Sequence, residues 1–244
     1  MSAQGRLSLS ENLPPYGVAP ARVAVIIPAL NEAGNIQLLV EAVKAVLPAD
    51  VIVVDNGSTD DTSAAAGLAG ARVVVESRRG YGYACAAGVL AAGGAEVLVF
   101  LDGDFSFLPA ELPALLAPIF IGQADLVLGS RELGGIDPGA MPPQQRFGNR
   151  LMAWVMSRLY HLSITDLGPY RSIRRNLLES LQMREMTYGW PAEMIVKAAQ
   201  RGARIVEVPV SYHNRRSGRS KVSGTLRGSL LAAWYILGVV LRYR

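Results

Sequence analysis

Thiols and imidazoles are nearly missing from these 244 residues: there is one cysteine, Cys85, and two histidines, His161 and His213. A lone thiol cannot close an internal disulfide, and no Cys/His spacing suited to a metal is present. Two histidines far apart in sequence leave a histidine-rich metal centre or a Ser-His-Asp triad almost no material. A long apolar run is missing too. The most apolar stretch, Leu230 to Leu241, has 12 residues, whereas crossing a bilayer takes roughly 20. Residues 1–21 are polar and contain proline, with no apolar h-region. They read as a flexible lead-in and not as a signal peptide, so a cytoplasmic protein is expected. No G-x-G follows the first apolar run, which argues against a dinucleotide site.

What is present is apolar bulk and an uneven charge. Half of the residues are hydrophobic and the length suits one α/β domain, with room for an appendage. The formal charge is +4, yet residues 201–244 alone carry nine Lys or Arg against one acid, Glu207. That end is either a solvated tail or a neighbour of phosphates, anionic lipid or nucleic acid. Nucleic acid is the weakest of these, because no basic motif interleaved with aromatics accompanies the charge.

Along the chain, strand-like and helix-like patterns alternate. Arg22 to Pro28 is a continuous apolar run, as for a strand covered on both faces. Ile36, Leu39, Val40, Val43 and Leu47 follow at helical spacing. Val51 to Val54 is a second strand ending in Asp55, and Ser58-Thr59-Asp60-Asp61 reads as a capping box for the next helix. Arg72 to Glu76 is a third strand, and Gly80-Tyr81-Gly82-Tyr83 leads into an alanine-rich helix. Glu96 to Leu101 is a fourth strand with Asp102 at its end. Pro109 marks the first turn of another helix, and Leu126 to Leu128 a short strand before Gly129-Ser130-Arg131. Gly134 to Pro143 is a glycine- and proline-rich loop. Arg146 to Leu162 is an amphipathic helix; Tyr170 to Ile173, the helix Pro191 to Arg201, and Arg204 to Val210 complete the core. Such alternation implies right-handed crossovers, a mostly parallel sheet flanked by helices, and ligands beyond the carboxyl ends of the strands. Asp55 and Asp102 both stand at such ends.

Asp102-Gly103-Asp104 places two carboxylates two residues apart, where both can approach one hard cation, while the glycine lets backbone come close to a ligand. Mg2+ or Mn2+ prefers oxygen ligands and often shares its shell with substrate phosphates. Asp and Gly also favour turns for local reasons alone. With no evident nucleophile or histidine base, the chemistry that fits is neutralisation of a leaving nucleoside diphosphate.

The segments IIPALNE (26–32), VVDNGSTDDT ending at Thr62, and LDGD ending at Asp104 resemble family 2 glycosyltransferases of the GT-A fold, which is Rossmann-like. Gly129-Ser130-Arg131, RFGNRL from Arg146, ITDLGPYR ending at Arg171, EVPVSY from Glu207 and RRSGRSKVSGT from Arg215 continue the match, which runs from about residue 22 to 228 and looks like the dolichol- or polyprenyl-phosphate sugar transferase branch. The resemblance implies that Pro28, Leu30 and Glu32 line the nucleotide pocket and that Asp55 accepts a hydrogen bond from the base or its neighbourhood. It gives the metal and diphosphate to Asp102 and Asp104, sets Gly103 near ribose or phosphate, and turns Arg131 toward the donor or an acceptor phosphate. Arg219 and Lys221 would neutralise diphosphate or lipid phosphate, a task suited to forked guanidinium and point-like ammonium donors. The chain departs from the pattern at Asn56, where relatives often carry a second acid, and at Ser106, where dolichol-phosphate relatives often carry glutamine. TDLGPYR also replaces a commoner Ser-Gly-Phe-Arg pattern.

The function expected is an inverting hexosyl transfer from a nucleoside-diphosphate sugar, of the UDP-glucose or GDP-mannose type, to a polyprenyl phosphate at the cytoplasmic membrane face. A hydroxyl acceptor would need a general base, for which Asp166 and Glu193 are the candidates; an ionised phosphate acceptor needs none. The alternatives are a soluble transferase acting on a small hydroxylated acceptor and a non-catalytic nucleotide-sugar-binding protein. Residues 22–221 read as the catalytic domain. Residues 222–244 read as an amphipathic helix that either lies at a membrane interface, with Trp234-Tyr235 at the boundary, or packs on the core or in a homo-oligomer. Trp154 reads as a packing or interface residue, and His213 as a structural one.

Overall fold

The computed structural model describes residues 22–217, 235 and 237–243. Eight strands form one sheet: β1 (Val23–Ala29), β2 (Asp50–Asp55), β3 (Arg72–Val75), β4 (Val97–Phe100), β5 (Leu126–Ser130), β6 (Gly135–Ile136), β7 (Arg171–Arg174) and β8 (Ile205–Tyr212). Their order is β3-β2-β1-β4-β7-β5-β8-β6. All neighbours are parallel except β7, which runs antiparallel between β4 and β5. The helices are α1 (Ala33–Val46), α2 (Thr62–Leu68), α3 (Tyr81–Ala91), α4 (Leu112–Phe120), α5 (Arg131–Gly134), α6 (Pro143–Tyr160), α7 (Arg175–Leu181) and α8 (Trp190–Gln200).

The continuous apolar strands serve both faces of this sheet. Ala24, Ile26, Ile52, Val54, Leu98 and Phe100 pack with α3, α6, α7 and α8. Val25, Ile27, Val51, Val53, Val97 and Val99 pack with α1, α2 and α4 on the other side. Two covered faces are what an α/β sheet demands, and the period of two divides each strand between two cores.

Several local readings change. The Ser58–Asp61 run is not a capping box: Asp61 is the N-cap of α2 and makes no side-chain cap bond. The Asp60 carboxylate instead accepts from Thr62 N at 3.1 Å and from Ala33 N at 3.2 Å, so it serves the first turns of two helices. Asn31 N donates to the Ser58 hydroxyl at 2.9 Å, which takes that hydroxyl away from α2. Tertiary pairing of the two loops thus replaces the local cap. The stretch from Gly134 to Pro143 is not all loop, since β6 pairs with Ser211 and Tyr212. Helix α6 starts earlier than Arg146, with Pro143 in its first turn, and ends where His161 turns left-handed at φ 53°. The 222–244 helix lies largely outside the described residues. Residues 237–242 are helical, Val239 and Val240 are buried, and Tyr160 Oη donates to Val240 O at 2.6 Å. Among the described residues no helix is long and apolar enough to cross a membrane.

Gly88 shows how closely α3 lies on the sheet: a Cβ there would stand 2.3 Å from Ile26 Cγ2 and 3.1 Å from Val54 Cγ2. Gly88→Ala should therefore destabilise the fold by about 1–2 kcal/mol in urea unfolding, since overpacking outweighs the roughly 1 kcal/mol of helix propensity gained.

Candidate active site

The carboxyl ends of β1, β2 and β4 bring three loops together. After β1, Asn31 adopts a left-handed conformation at φ 51°, and its side chain accepts from Thr59 N at 2.7 Å. After β4, Asp102-Gly103-Asp104 turns back under Pro28 and Glu32. A Cβ at Gly103 would sit 3.3 Å from Pro28 O and 3.6 Å from Glu32 Cγ, so the two loops lie in close contact there and a side chain would fit only tightly. Phe105 completes the turn in a left-handed conformation, φ 59°, which is uncommon outside glycine and is held here by its neighbours.

Pro28, Glu32, Asp102, Gly103 and Asp104 are thereby gathered, and Leu30 lies in the same β1 loop. Glu32 Oε2 accepts from Asn35 Nδ2 at 2.8 Å, and Glu32 N donates to Thr62 Oγ1 at 2.8 Å. Asp104 is buried and Oδ1 accepts from Ser106 N at 3.0 Å. Burial, and then the charge of Asp104, push the Asp102 carboxyl up to about 7 despite Arg215 and Arg131 nearby. Desolvation and like charge both disfavour the ionised form, and positive charge is the counterpart that favours it.

Part of that counterpart is Arg215. Its Nη2 stands 2.7 Å from Asp104 Oδ2 and its Nη1 3.4 Å from Glu32 Oε1, bridging the β1 and β4 loops. The chain reaches this position directly from β8. His213 N donates to Ser106 O at 2.9 Å, the Arg216 guanidinium covers the Phe105 ring at 5.4 Å, and Asn35 Nδ2 donates to Ser217 O at 3.2 Å. Sequence reading gave the phosphate-binding roles to Arg219 and Lys221, further along the same basic run. Both lie outside the described residues; among the described residues it is Arg215, the first residue of that motif, that stands at the carboxylates.

No group of three or more His, Cys, Asp or Glu able to hold a metal ion occurs among the described residues. The donor chemistry nevertheless suits a hard cation. Two carboxylates converge, and the Ser106 hydroxyl oxygen is buried beside them without a hydrogen-bond partner. Such a set leaves several coordination positions for phosphate oxygens, as Mg2+ and Mn2+ favour. His213, now adjacent through its backbone, pairs Nδ1 with Asp137 Oδ2 at 2.9 Å and buries Nε2 without a partner.

Asp55 lies at the end of β2. It accepts from Ser58 N at 2.7 Å and from the Ser63 hydroxyl, and these bonds hold its carboxyl below the usual range against the opposing effect of burial. Asn56 has a structural task that the sequence did not announce. Its amide donates to Glu76 O at 2.9 Å and Arg78 O at 2.7 Å, and its oxygen accepts from Gly80 N at 2.9 Å. An acid could not donate those first two bonds, so the departure from an acidic pair fits the local wall of the pocket.

Arg131 and Asp166 form one buried unit. Arg131 Nε and Nη2 donate to the two Asp166 oxygens at 2.8 and 2.7 Å, and Arg131 N donates to Oδ2 at 2.7 Å. Burial alone would raise the Asp166 pKa; the Arg131 charge and hydrogen bonds overcome it and leave the carboxyl below its usual range. The Arg131 guanidinium also faces the Tyr212 ring at 5.2 Å. Behind the pair, Glu207 accepts from Thr165 N at 2.9 Å and Asp166 N at 3.0 Å. Glu193 is fully buried on α8 and elsewhere engaged: it accepts from Glu185 N at 2.7 Å and Tyr243 Oη at 2.7 Å and pairs with Lys197 Nζ at 2.6 Å. No bond joins Glu193 to the Asp102 turn among the described residues. Clustered carboxylates, a bridging arginine and a glycine contact thus stand beyond the carboxyl ends of parallel strands, where open α/β sheets bind their ligands.

Comparison with known proteins agrees. The model of glycosyl transferase family 2 matches residues 24–182. The chain belongs to glycosyltransferase family 2. An uncharacterized glycosyltransferase of Mycobacterium tuberculosis is 42% identical over 211 residues, covering 86% of this chain and 94% of that protein. The polyprenol monophosphomannose synthase of Mycolicibacterium smegmatis is 34% identical over 262 residues, covering 100% and 98%. Among solved structures, glucosyl-3-phosphoglycerate synthase from Mycobacterium tuberculosis, in complex with Mn2+, UDP and phosphoglyceric acid, superposes with a TM-score of 0.75 at 23% identity, covering 92% of this chain and 78% of that one. That likeness bears on the fold, which is the GT-A architecture expected from the motifs.

In this family 2 glycosyltransferase the Arg131–Asp166 pair should be a large term in stability. Asp166→Ala leaves a buried guanidinium uncompensated, and denaturant unfolding should show a loss of about 3–5 kcal/mol. Because the folded-state pKa of Asp166 is depressed, its contribution is full above the unfolded value of about 3.9 and shrinks as pH falls below it. The acid limb of a stability–pH profile should therefore flatten in Asp166→Asn; an unchanged limb would refute the assignment.

Proposed function

We propose that the chain transfers a hexose, with inversion, from a nucleoside-diphosphate sugar to a polyprenyl phosphate at the cytoplasmic face of a membrane. The observation that carries this reading is the convergence of Asp102 and Asp104 with Glu32 and Arg215 at the carboxyl ends of the parallel strands. A carboxylate pair of this kind, able to share one hard cation, suits a reaction whose difficulty is the charge of its leaving group. The names of relatives support the acceptor: besides the polyprenol monophosphomannose synthase, an undecaprenyl-phosphate mannosyltransferase of Micrococcus luteus is 33% identical over 224 residues.

The nucleotide lies against Pro28, Leu30 and Glu32, with Asp55 toward the base and Gly103 giving room for ribose or phosphate. Asp102 and Asp104, with the Ser106 hydroxyl near, would hold an Mg2+ or Mn2+ ion, whose Lewis acidity would offset the charge of a departing diphosphate. Arg131, with Nη1 and part of Nη2 uncommitted to Asp166, offers forked N–H donors to the acceptor phosphate, and Arg219 and Lys221 add positive charge to the donor side. The acceptor oxygen needs no base, because a phosphate monoester is largely dianionic above about pH 6. Asp166 then serves by orienting Arg131, and Glu193 by anchoring the 184–185 backbone and Tyr243. Residues 22–221 act as the catalytic domain and 222–244 as an appended amphipathic helix.

A thermal-shift screen of nucleoside diphosphates and their sugars, with and without Mn2+, should show metal-dependent stabilisation by one base; no response to any of them would overturn the donor reading. Asp104→Ala should fold as the parent does and lose at least about a hundredfold in kcat, as expected for removal of a group that neutralises transition-state charge.

A further inference from the structure

The outward stripe of α6 is built for an apolar neighbour. On an 18-residue helix at the surface, the exposed positions should be polar. Here Phe147, Leu151 and Trp154 follow at spacings of four and three, and are 70%, 45% and 59% exposed. Met152, Ala153 and Met156 fill the opposite face and reach the core, so the helix is already fully supported without covering the stripe. The charges on the same helix are all of one sign. Arg146, Arg150 and Arg158 are exposed, and residues 143–160 contain no Asp, Glu or Lys. A helix with aromatic and leucine residues on one face and arginines flanking them matches the boundary of an anionic bilayer, where rings sit at headgroup depth and guanidinium groups meet phosphates.

The position of the helix gives that face a purpose. Arg146 donates to both Glu132 oxygens at 2.9 Å, and Arg150 Nε stands 3.6 Å from Glu132 Oε2. Glu132 immediately follows Arg131, so the N-terminal half of α6 is tied one residue away from the buried guanidinium of the site. At its other end α6 holds the C-terminal helical segment through Tyr160 and Val240, and that segment exposes Leu237 and Leu241.

We infer that the Phe147–Leu151–Trp154 stripe of α6 seats the enzyme on an anionic membrane surface, holding Arg131 near the plane of the lipid phosphates. This deepens the lipid-phosphate reading and rests on it for its purpose. The occupant is a bilayer and not a second copy of the chain, because two copies meeting through this stripe would face arginine against arginine.

The test is cosedimentation of the full chain with sucrose-loaded vesicles of phosphatidylglycerol and phosphatidylcholine, beside vesicles of phosphatidylcholine alone. The parent should pellet with the anionic vesicles. Phe147→Ser/Trp154→Ser should reduce partitioning by about tenfold or more, while Trp154→Phe retains most of it and all three keep the same melting temperature in solution. Undiminished pelleting of the double variant would overturn the inference, since binding would then reside elsewhere, as in the basic C-terminal end. A parent that stays in the supernatant and sediments as a dimer, dissolved by the double variant, would overturn it in favour of a second copy. Neither measurement needs turnover. Product formation from a polyprenyl phosphate in detergent micelles reads the acceptor assignment separately, so failure of the one is distinguishable from failure of the other.

Discussion

Like charges gathered where water is scarce set the terms for the rest of this molecule. Asp102 and Asp104 rise from a strand whose other residues are buried and apolar, and Glu32 closes on them from the neighbouring loop. Desolvation and repulsion both act against three carboxylates in that position. The sheet brings them together through its parallel order, and the surrounding chain supplies compensation: Arg215 bridges two of the acids, Ser106 donates its backbone N–H to one, and Asn35 donates to another. The segment that carries Arg215 is pinned at His213, Arg216 and Ser217, so the compensating charge is part of the fold and not a loose side chain.

Much of this was written in the sequence, because the signals are local. The apolar runs at 22–28 and 96–101 and the helical spacing from Ile36 to Val43 depend on neighbours a few residues apart, and each became the element expected. So did the place of Asp102 at a strand end. What stayed hidden depends on contacts over long separations. The direction of β7 could not be read from Tyr170 to Ile173, since a strand buried on both faces shows the same pattern either way. Asp60 looked like part of a cap for its own helix until Ala33, 27 residues earlier, claimed its second oxygen. Arg215 was one arginine among several in a basic motif, and only the course of the chain after β8 shows that it reaches Asp104 and Glu32.

The same distinction explains the acids proposed as bases. Asp166 and Glu193 carry the residue type that proton transfer needs, and composition alone could not say more. Asp166 is met by three N–H groups of Arg131, and Glu193 by backbone, ammonium and phenol donors. A carboxylate so satisfied is stabilised in its ionised form and is a poor proton acceptor. Asp166 is thus tied to Arg131 and Glu193 to groups away from the Asp102 turn, with Glu207 as a support behind Asp166 that no motif singled out as more than a strand residue.

The register of β5 and β7 has a wider consequence. Leu128 and Arg171 face each other across hydrogen-bonded strands, so the chain leaves β5 after Ser130, adds the short β6 beside β8, and returns to the strand next to β5 at residue 171. Everything between, including α5, α6 and the Asp166 loop, is an excursion whose two ends are fixed side by side. The loop-closure entropy of such an excursion changes by only about 0.6 kcal/mol when its length doubles. The segment that carries Arg131 and Asp166 is thus closed at both ends by one pair of strands, whereas the loops of Glu32, Asp55 and Asp102 each follow a different strand of the first half of the sheet. A change of length between Arg131 and Tyr170 therefore disturbs the sheet less than one in the loops that join β1, β2 and β4.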